Sequence, residues 1–227
     1  MTSVRRALVA TAALAIAVAL AGCAGGGPSA GDEEAAAGSS AQTADAREGF
    51  VYFHGMSHLG FSHDALRAGL GMQTLLAPSM TDAQLGAPIA PAVTTFLGTK
   101  TDALVAGYSL GRIPVLRLMA ESAPGMSRVV MIDPTYDSAS ALGGSGISGG
   151  IAKAWLDGDP SRSLLLVYGD VTRELGGEKS YVRELANHPQ ASLCYVSGDH
   201  ERFRQDDMVA ALASKDCDDL AGRLAAH

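Results

Sequence analysis

Apolar residues in this chain gather in short runs, and between the runs they recur at helical spacing. The runs predict strands over residues 50–53, 73–76, 103–106, 128–132, 164–168 and 193–196. The spaced stretches predict helices over residues 62–69, 88–97, 110–122, 179–187 and 206–214. Strand and helix alternate, which argues for a parallel sheet covered on both faces. The expected fold is therefore a single-domain three-layer α/β/α sandwich with a mostly parallel sheet of about six strands. Pro114 falls early in its helix, where a missing N–H costs least. Residues 137–160 carry Gly143, Gly144, Gly146, Gly149 and Gly150, too much glycine for a stable element, and are expected to form a short mobile excursion.

The first part of the chain follows another pattern. Arg5 and Arg6 precede an apolar stretch over residues 7–20, about 14 residues where a spanning helix needs about 20. The stretch reads as a signal peptide. The tetrapeptide Leu20-Ala21-Gly22-Cys23 that follows resembles the lipobox of bacterial lipoproteins, which implies lipid modification of Cys23 and an extracytoplasmic protein anchored to the bacterial membrane by that lipid. Residues 1–22 are then the leader. Residues 23–48, rich in Gly, Ala, Ser, Thr and acid, bury too little surface to repay ordering and form a flexible tether. Residues 49–227 remain as one domain of about 180 residues.

Charge narrows the partners. The formal net charge is −7 and no basic cluster occurs, which argues against nucleic acid and anionic membrane surfaces as partners. The chain is read as a monomer acting on a small or lipid-like molecule. Of the three cysteines, Cys23 goes to the lipid; Cys194 and Cys217 are left as a disulfide in an oxidising compartment or as two buried thiols.

Candidate chemistry centres on residues 101–113, T-D-A-L-V-A-G-Y-S-L-G-R-I. A strand runs into Gly107, Ser109 follows at a sharp turn, and a helix begins at Leu110. Glycines at 107 and 111 let strand and helix pass closely, and the turn forces the serine into strained geometry with its hydroxyl outward. The Leu110 N–H, unpartnered in the first helical turn, is free to face a developing oxyanion. With the segment Phe50-Val51-Tyr52-Phe53-His54-Gly55 two strands upstream, this G-x-S-x-G context resembles the α/β-hydrolase family, here in a minimal form. The resemblance implies a nucleophilic Ser109, an oxyanion loop propped by His54 and Gly55 with Met56 giving a second N–H, and a short lid in the glycine-rich excursion.

The general base has to be one of six histidines. His200, in Ser197-Gly198-Asp199-His200 after the last strand, fits the family's order of serine, acid, histidine and resembles the histidine segment of thioesterases. His188, before Pro189 at a helix end, reads as a surface residue, and His227 is terminal. His54, His58 and His63, with Asp64 nearby, raise a metal hypothesis, but Gly55 breaks helical spacing and no Glu stands between the first two. No metal or organic cofactor is required. The acid departs from the family pattern: three residues past Gly169 stands Thr172, leaving Asp170 or Glu174 as displaced substitutes. Asp133, after the preceding strand in Ile132-Asp133-Pro134, resembles the acid segment of pancreatic-type lipases and is favoured over Asp170.

The expected function is a lipid-anchored serine hydrolase cleaving an ester or thioester through an acyl-enzyme. The displaced acid and Arg112, where relatives carry a small residue, motivate the alternative of a non-catalytic envelope lipoprotein that binds a ligand. Acyl transfer by the same triad is a third reading.

Overall fold

The computed structural model describes residues 48–55, 70, 72, 74–77, 89–134 and 148–226. Six strands form one sheet: β1 (Glu48–Phe53), β2 (Thr74–Ala77), β3 (Asp102–Tyr108), β4 (Met126–Ile132), β5 (Ser163–Tyr168) and β6 (Ala191–Tyr195). Every pairing is parallel, and the order is β2-β1-β3-β4-β5-β6. All six apolar runs thus became strands, with ends shifted by one or two residues. Seven α-helices occur among the described residues: α1 (Pro91–Gly98), α2 (Arg112–Ala120), α3 (Ser148–Asp157), α4 (Asp170–Glu174), α5 (Lys179–Leu185), α6 (Ala210–Ala213) and α7 (Cys217–Ala225).

Side chains alternate across each strand, so the sheet feeds two apolar clusters. Val51, Phe53, Val105, Met131 and Leu166 join one, together with residues of α1, α2, α3 and α5 such as Leu97, Leu116, Trp155 and Tyr181. Phe50, Tyr52, Leu104, Tyr108, Val130 and Val167 join the other, with Phe203, Met208, Leu212 and Leu220. Pro114 is the third residue of α2 and buried, where no intrahelical bond is lost.

One expectation fails. The glycine-rich span 137–160 contains α3, ten residues long, which buries Ala152, Trp155 and Leu156. A side chain at Gly149 would begin 2.1 Å from the Ser180 carbonyl oxygen, and the Gly149 N–H donates to Ser180 Oγ at 2.8 Å. This glycine permits close approach to α5 instead of breaking a helix. Residues 137–147 of the span, and with them the remainder of the expected lid, lie outside the described residues, as do the expected helix over 62–69, the leader and all of the tether except Glu48, which opens β1. Two more helices went unread. The short α4 directly follows β5, and α7 is capped by Asp216, whose carboxylate accepts from the Asp219 N–H at 2.9 Å. The expected helix over 206–214 is a 3-10 segment (Asp206–Val209) continuing into α6. No helix among the described residues is long and apolar enough to cross a membrane.

Cys194 on β6 and Cys217 at the start of α7 form a disulfide with Cα atoms 5.3 Å apart, 23 residues apart in sequence. Closing a loop of that length in the unfolded chain is worth roughly 3 kcal/mol. The double variant Cys194→Ser/Cys217→Ser should lower the unfolding free energy by about that amount in urea titration, matching reduced wild-type protein. Unchanged stability would mean that the crosslink constrains nothing.

Candidate active site

In an open parallel sheet, a crevice forms outside the carboxyl ends of the strands where the winding reverses. Here the reversal lies between β1 and β3, since the chain leaves β1 for β2 on one side and returns to β3 on the other. His54 and Gly55 continue β1 at this point, and Ser109 continues β3.

The turn at Ser109, the elbow between β3 and α2, is held by sterics. Ser109 has φ of 53°, a left-handed conformation that a side chain disfavours, and opens a 3-10 turn (Ser109–Gly111) before α2. A Cβ on Gly111 would lie 2.1 Å from the Phe53 carbonyl oxygen, and one on Gly107 would lie 2.5 Å from that of Gly111. Only hydrogen fits at either position, so the elbow is wedged against the end of β1. Gly55 is close as well: its missing Cβ would sit 3.2 Å from Ser109 Cβ and 3.1 Å from the Tyr108 ring. His54 Nδ1 donates to the Gly55 carbonyl at 2.8 Å, bracing the segment that passes Ser109.

Asp133 follows β4 with φ of 42° and is fully buried. Its N–H donates to Val167 O at 2.7 Å, extending the β4–β5 ladder by one bond. One carboxylate oxygen accepts from the Gly169 N–H at 3.0 Å and from the Thr172 hydroxyl; the other accepts from His200 Nδ1. Three donors thus compensate a charge that would otherwise be costly to bury. The His200 side chain remains 28% exposed, so the pair runs from the interior to the surface. His200 begins a 3-10 turn (His200–Arg204) capped by Asp199, whose carboxylate accepts from the N–H groups of Glu201 and Arg202 at 3.0 and 3.1 Å. Tyr108, the residue before Ser109, stacks on the His200 ring and donates its hydroxyl to the His200 carbonyl at 2.9 Å. Among the described residues no hydrogen bond joins Ser109 to His200, and Tyr108 is the link between them.

Asp170 does not meet the imidazole. Its carboxylate accepts from the Tyr195 hydroxyl and, at 3.0 Å, from the Gly198 N–H, while its own N–H donates to Gly198 O at 2.9 Å. The Tyr195 hydroxyl first, and then the Gly198 N–H, hold this carboxyl below its usual range. Asp170 thereby ties down the loop that carries His200. Gly169 lies between the two aspartates, with room for no side chain: a Cβ would fall 2.3 Å from the Phe203 ring. Glu174 ends α4, exposed.

Leu110 lies in the elbow's 3-10 turn, nearly buried. Arg112 opens α2 and is buried, 2% exposed. His188 corrects an expectation: its side chain is 8% exposed, with Nε2 donating to Asp157 at 3.2 Å and Nδ1 accepting from the Gln190 N–H at 3.3 Å. Its partner Asp157 ends α3, the helix that the sequence hid. Met56, Cys23, His58, His63, Asp64 and His227 lie outside the described residues. No group of three His, Cys, Asp or Glu suited to a metal occurs among the described ones. Tyr108, Gly169 and Thr172 were missed as site residues. Thr172 carried a signal, since it occupies the place where an acid was looked for.

No protein-family model and no curated protein matches the chain. If Asp133 orients His200, labelling of Ser109 by a fluorophosphonate should slow by about 10⁴ in Asp133→Asn, as expected for an imidazole left in the wrong tautomer. Asp170→Asn should slow it only a few-fold. Measured labelling rates in folded variants check this, and the reversed ranking would move the acid to Asp170.

Proposed function

We propose that the protein is a serine hydrolase cleaving a carboxylic ester or thioester through an acyl-enzyme. The observation that carries this reading is the buried Asp133 carboxylate bonded to His200 Nδ1 at the carboxyl ends of parallel strands, with the His200 ring stacked on Tyr108, the chain neighbour of the strained Ser109. With Nδ1 donating to Asp133, the lone pair of His200 lies on Nε2, which is the state of a general base. In the proposed cycle Ser109 Oγ attacks the carbonyl carbon as its proton passes to His200 Nε2. The leaving alcohol or thiol departs with that proton, and water attacks the acyl-enzyme by the same route. In this reading the N–H groups of Leu110 and Met56 receive the oxyanion. No step calls on a metal or organic cofactor. The strand order, the elbow after β3 and the histidine after β6 support the resemblance to α/β-hydrolases.

The same reading makes the protein an extracytoplasmic lipoprotein held at the membrane through Cys23, acting as a monomer on small or lipid-like esters. The lipobox-like Leu20-Ala21-Gly22-Cys23 motivates the anchor, and the disulfide between Cys194 and Cys217 supports an oxidising compartment.

Against a panel of chromogenic esters of graded acyl length, the wild type should turn over at least one. Ser109→Ala should stay folded and lose roughly 10³-fold or more in kcat. Equal turnover by the two proteins would sink the hydrolase reading. Cys23→Ala should leave the membrane fraction and take up no labelled acyl chain; a variant that stays with the membranes and still takes up the label removes the anchor.

A further inference from the structure

Tyr108 is 2% exposed and ends β3. Its ring lies nearly parallel to the His200 imidazole, with centroids 4.8 Å apart and planes 19° apart. Its hydroxyl donates to the His200 carbonyl at 2.9 Å, across 92 residues of sequence. The ring also meets the position where Gly55 lacks a side chain, at 3.1 Å from the missing Cβ. Burial first, and then the Asp133 charge, push the phenol well above its usual range, so it stays protonated and able to donate.

We propose that Tyr108 is the positioning residue that aims His200 at Ser109. The proposal rests on the reading of His200 as general base. A single bond from Nδ1 to Asp133 fixes one atom of the imidazole and leaves the ring free to swing about it. The stacked phenol removes the out-of-plane swing. The hydroxyl fixes the backbone from which the His200 side chain springs, in a short 3-10 turn with little rigidity of its own. Since Tyr108 is bonded directly to Ser109, base and nucleophile are referenced to the same residue. The ring also faces the charge that forms. When the Ser109 proton reaches Nε2, the imidazolium lies over an aromatic face that attracts cations. A core aromatic with no such role would be replaceable by any apolar side chain that fills the space.

Two substitutions separate the contributions. Tyr108→Phe keeps the stack and loses one neutral hydrogen bond, so kcat should fall about five-fold. Tyr108→Leu loses both contacts, and kcat should fall about 100-fold. KM should stay within about two-fold in each, since both contacts run to His200. In the resting protein, the Nδ1 proton shared by His200 and Asp133 should give a downfield NMR resonance. That signal should persist in Tyr108→Phe and broaden or vanish in Tyr108→Leu.

Circular dichroism and thermal melting establish folding. If Tyr108→Leu does not fold, Tyr108→Phe, which preserves core volume, decides the matter: unchanged kcat overturns the proposal. If the wild type turns over no ester, the hydrolase reading has failed, and the Nδ1 proton still reports the hold of Tyr108 on His200. A sharp downfield signal in folded Tyr108→Leu overturns the positioning role whatever the turnover.

Discussion

Burying the Asp133 carboxylate is the constraint around which the carboxyl end of the sheet is built. A charge with no solvent contact requires donors from every side. They come from three places far apart in the chain: the Gly169 N–H after β5, the Thr172 hydroxyl on α4 and the imidazole of His200 after β6. Satisfying them turns the chain sharply at Asp133, in a backbone conformation few residues tolerate. It also brings the β5–α4 junction so close to the His200 loop that Gly169 has no room for a side chain. The buried charge and the convergence of loops are one arrangement seen from two ends.

Around that centre the supports are graded by distance. Asp170 holds the approach to His200 through reciprocal bonds with Gly198, and Asp199 caps the turn that His200 opens. On the face of the imidazole, Tyr108 connects His200 to the turn at Ser109, and that turn is pressed into β1 by contacts that admit only glycine. Little of this depends on exposed ion pairs, which contribute little in water. The rigidity comes from steric fit and from the hydrogen bonds gathered on the buried Asp133 carboxylate.

How much of this could be read from the sequence followed from how local each cause is. The strands were legible because a strand buried on both faces needs a continuous apolar run, which composition shows directly. The elbow was legible because Gly107 and Gly111 are spaced by the geometry of the turn itself. Which aspartate meets His200 was not decided by sequence: Asp133 and Asp170 both follow a strand, and the fold brings the imidazole, 67 residues from Asp133, to the first and not to the second. Helix α3 was hidden for a similar reason. Gly149 reads as a helix breaker until Ser180, 31 residues away, is seen to occupy the space of its side chain. His188 read as a surface residue because Asp157, its partner, sits on that unread helix.

The disulfide has a consequence of connectivity. Cys194 and Cys217 bracket the segment carrying His200, so this segment is part of a covalent ring closed on itself. A single peptide bond cut anywhere between them leaves both products attached, and the noncovalent contacts of His200 with Asp133 and Tyr108 still hold the imidazole from the fold side. Reduction restores the vulnerability of an open chain, in which one cut detaches everything beyond it. For a protein read as working outside the cytoplasm, among peptidases, the crosslink therefore sets how many cuts the histidine segment survives as well as how firmly it folds.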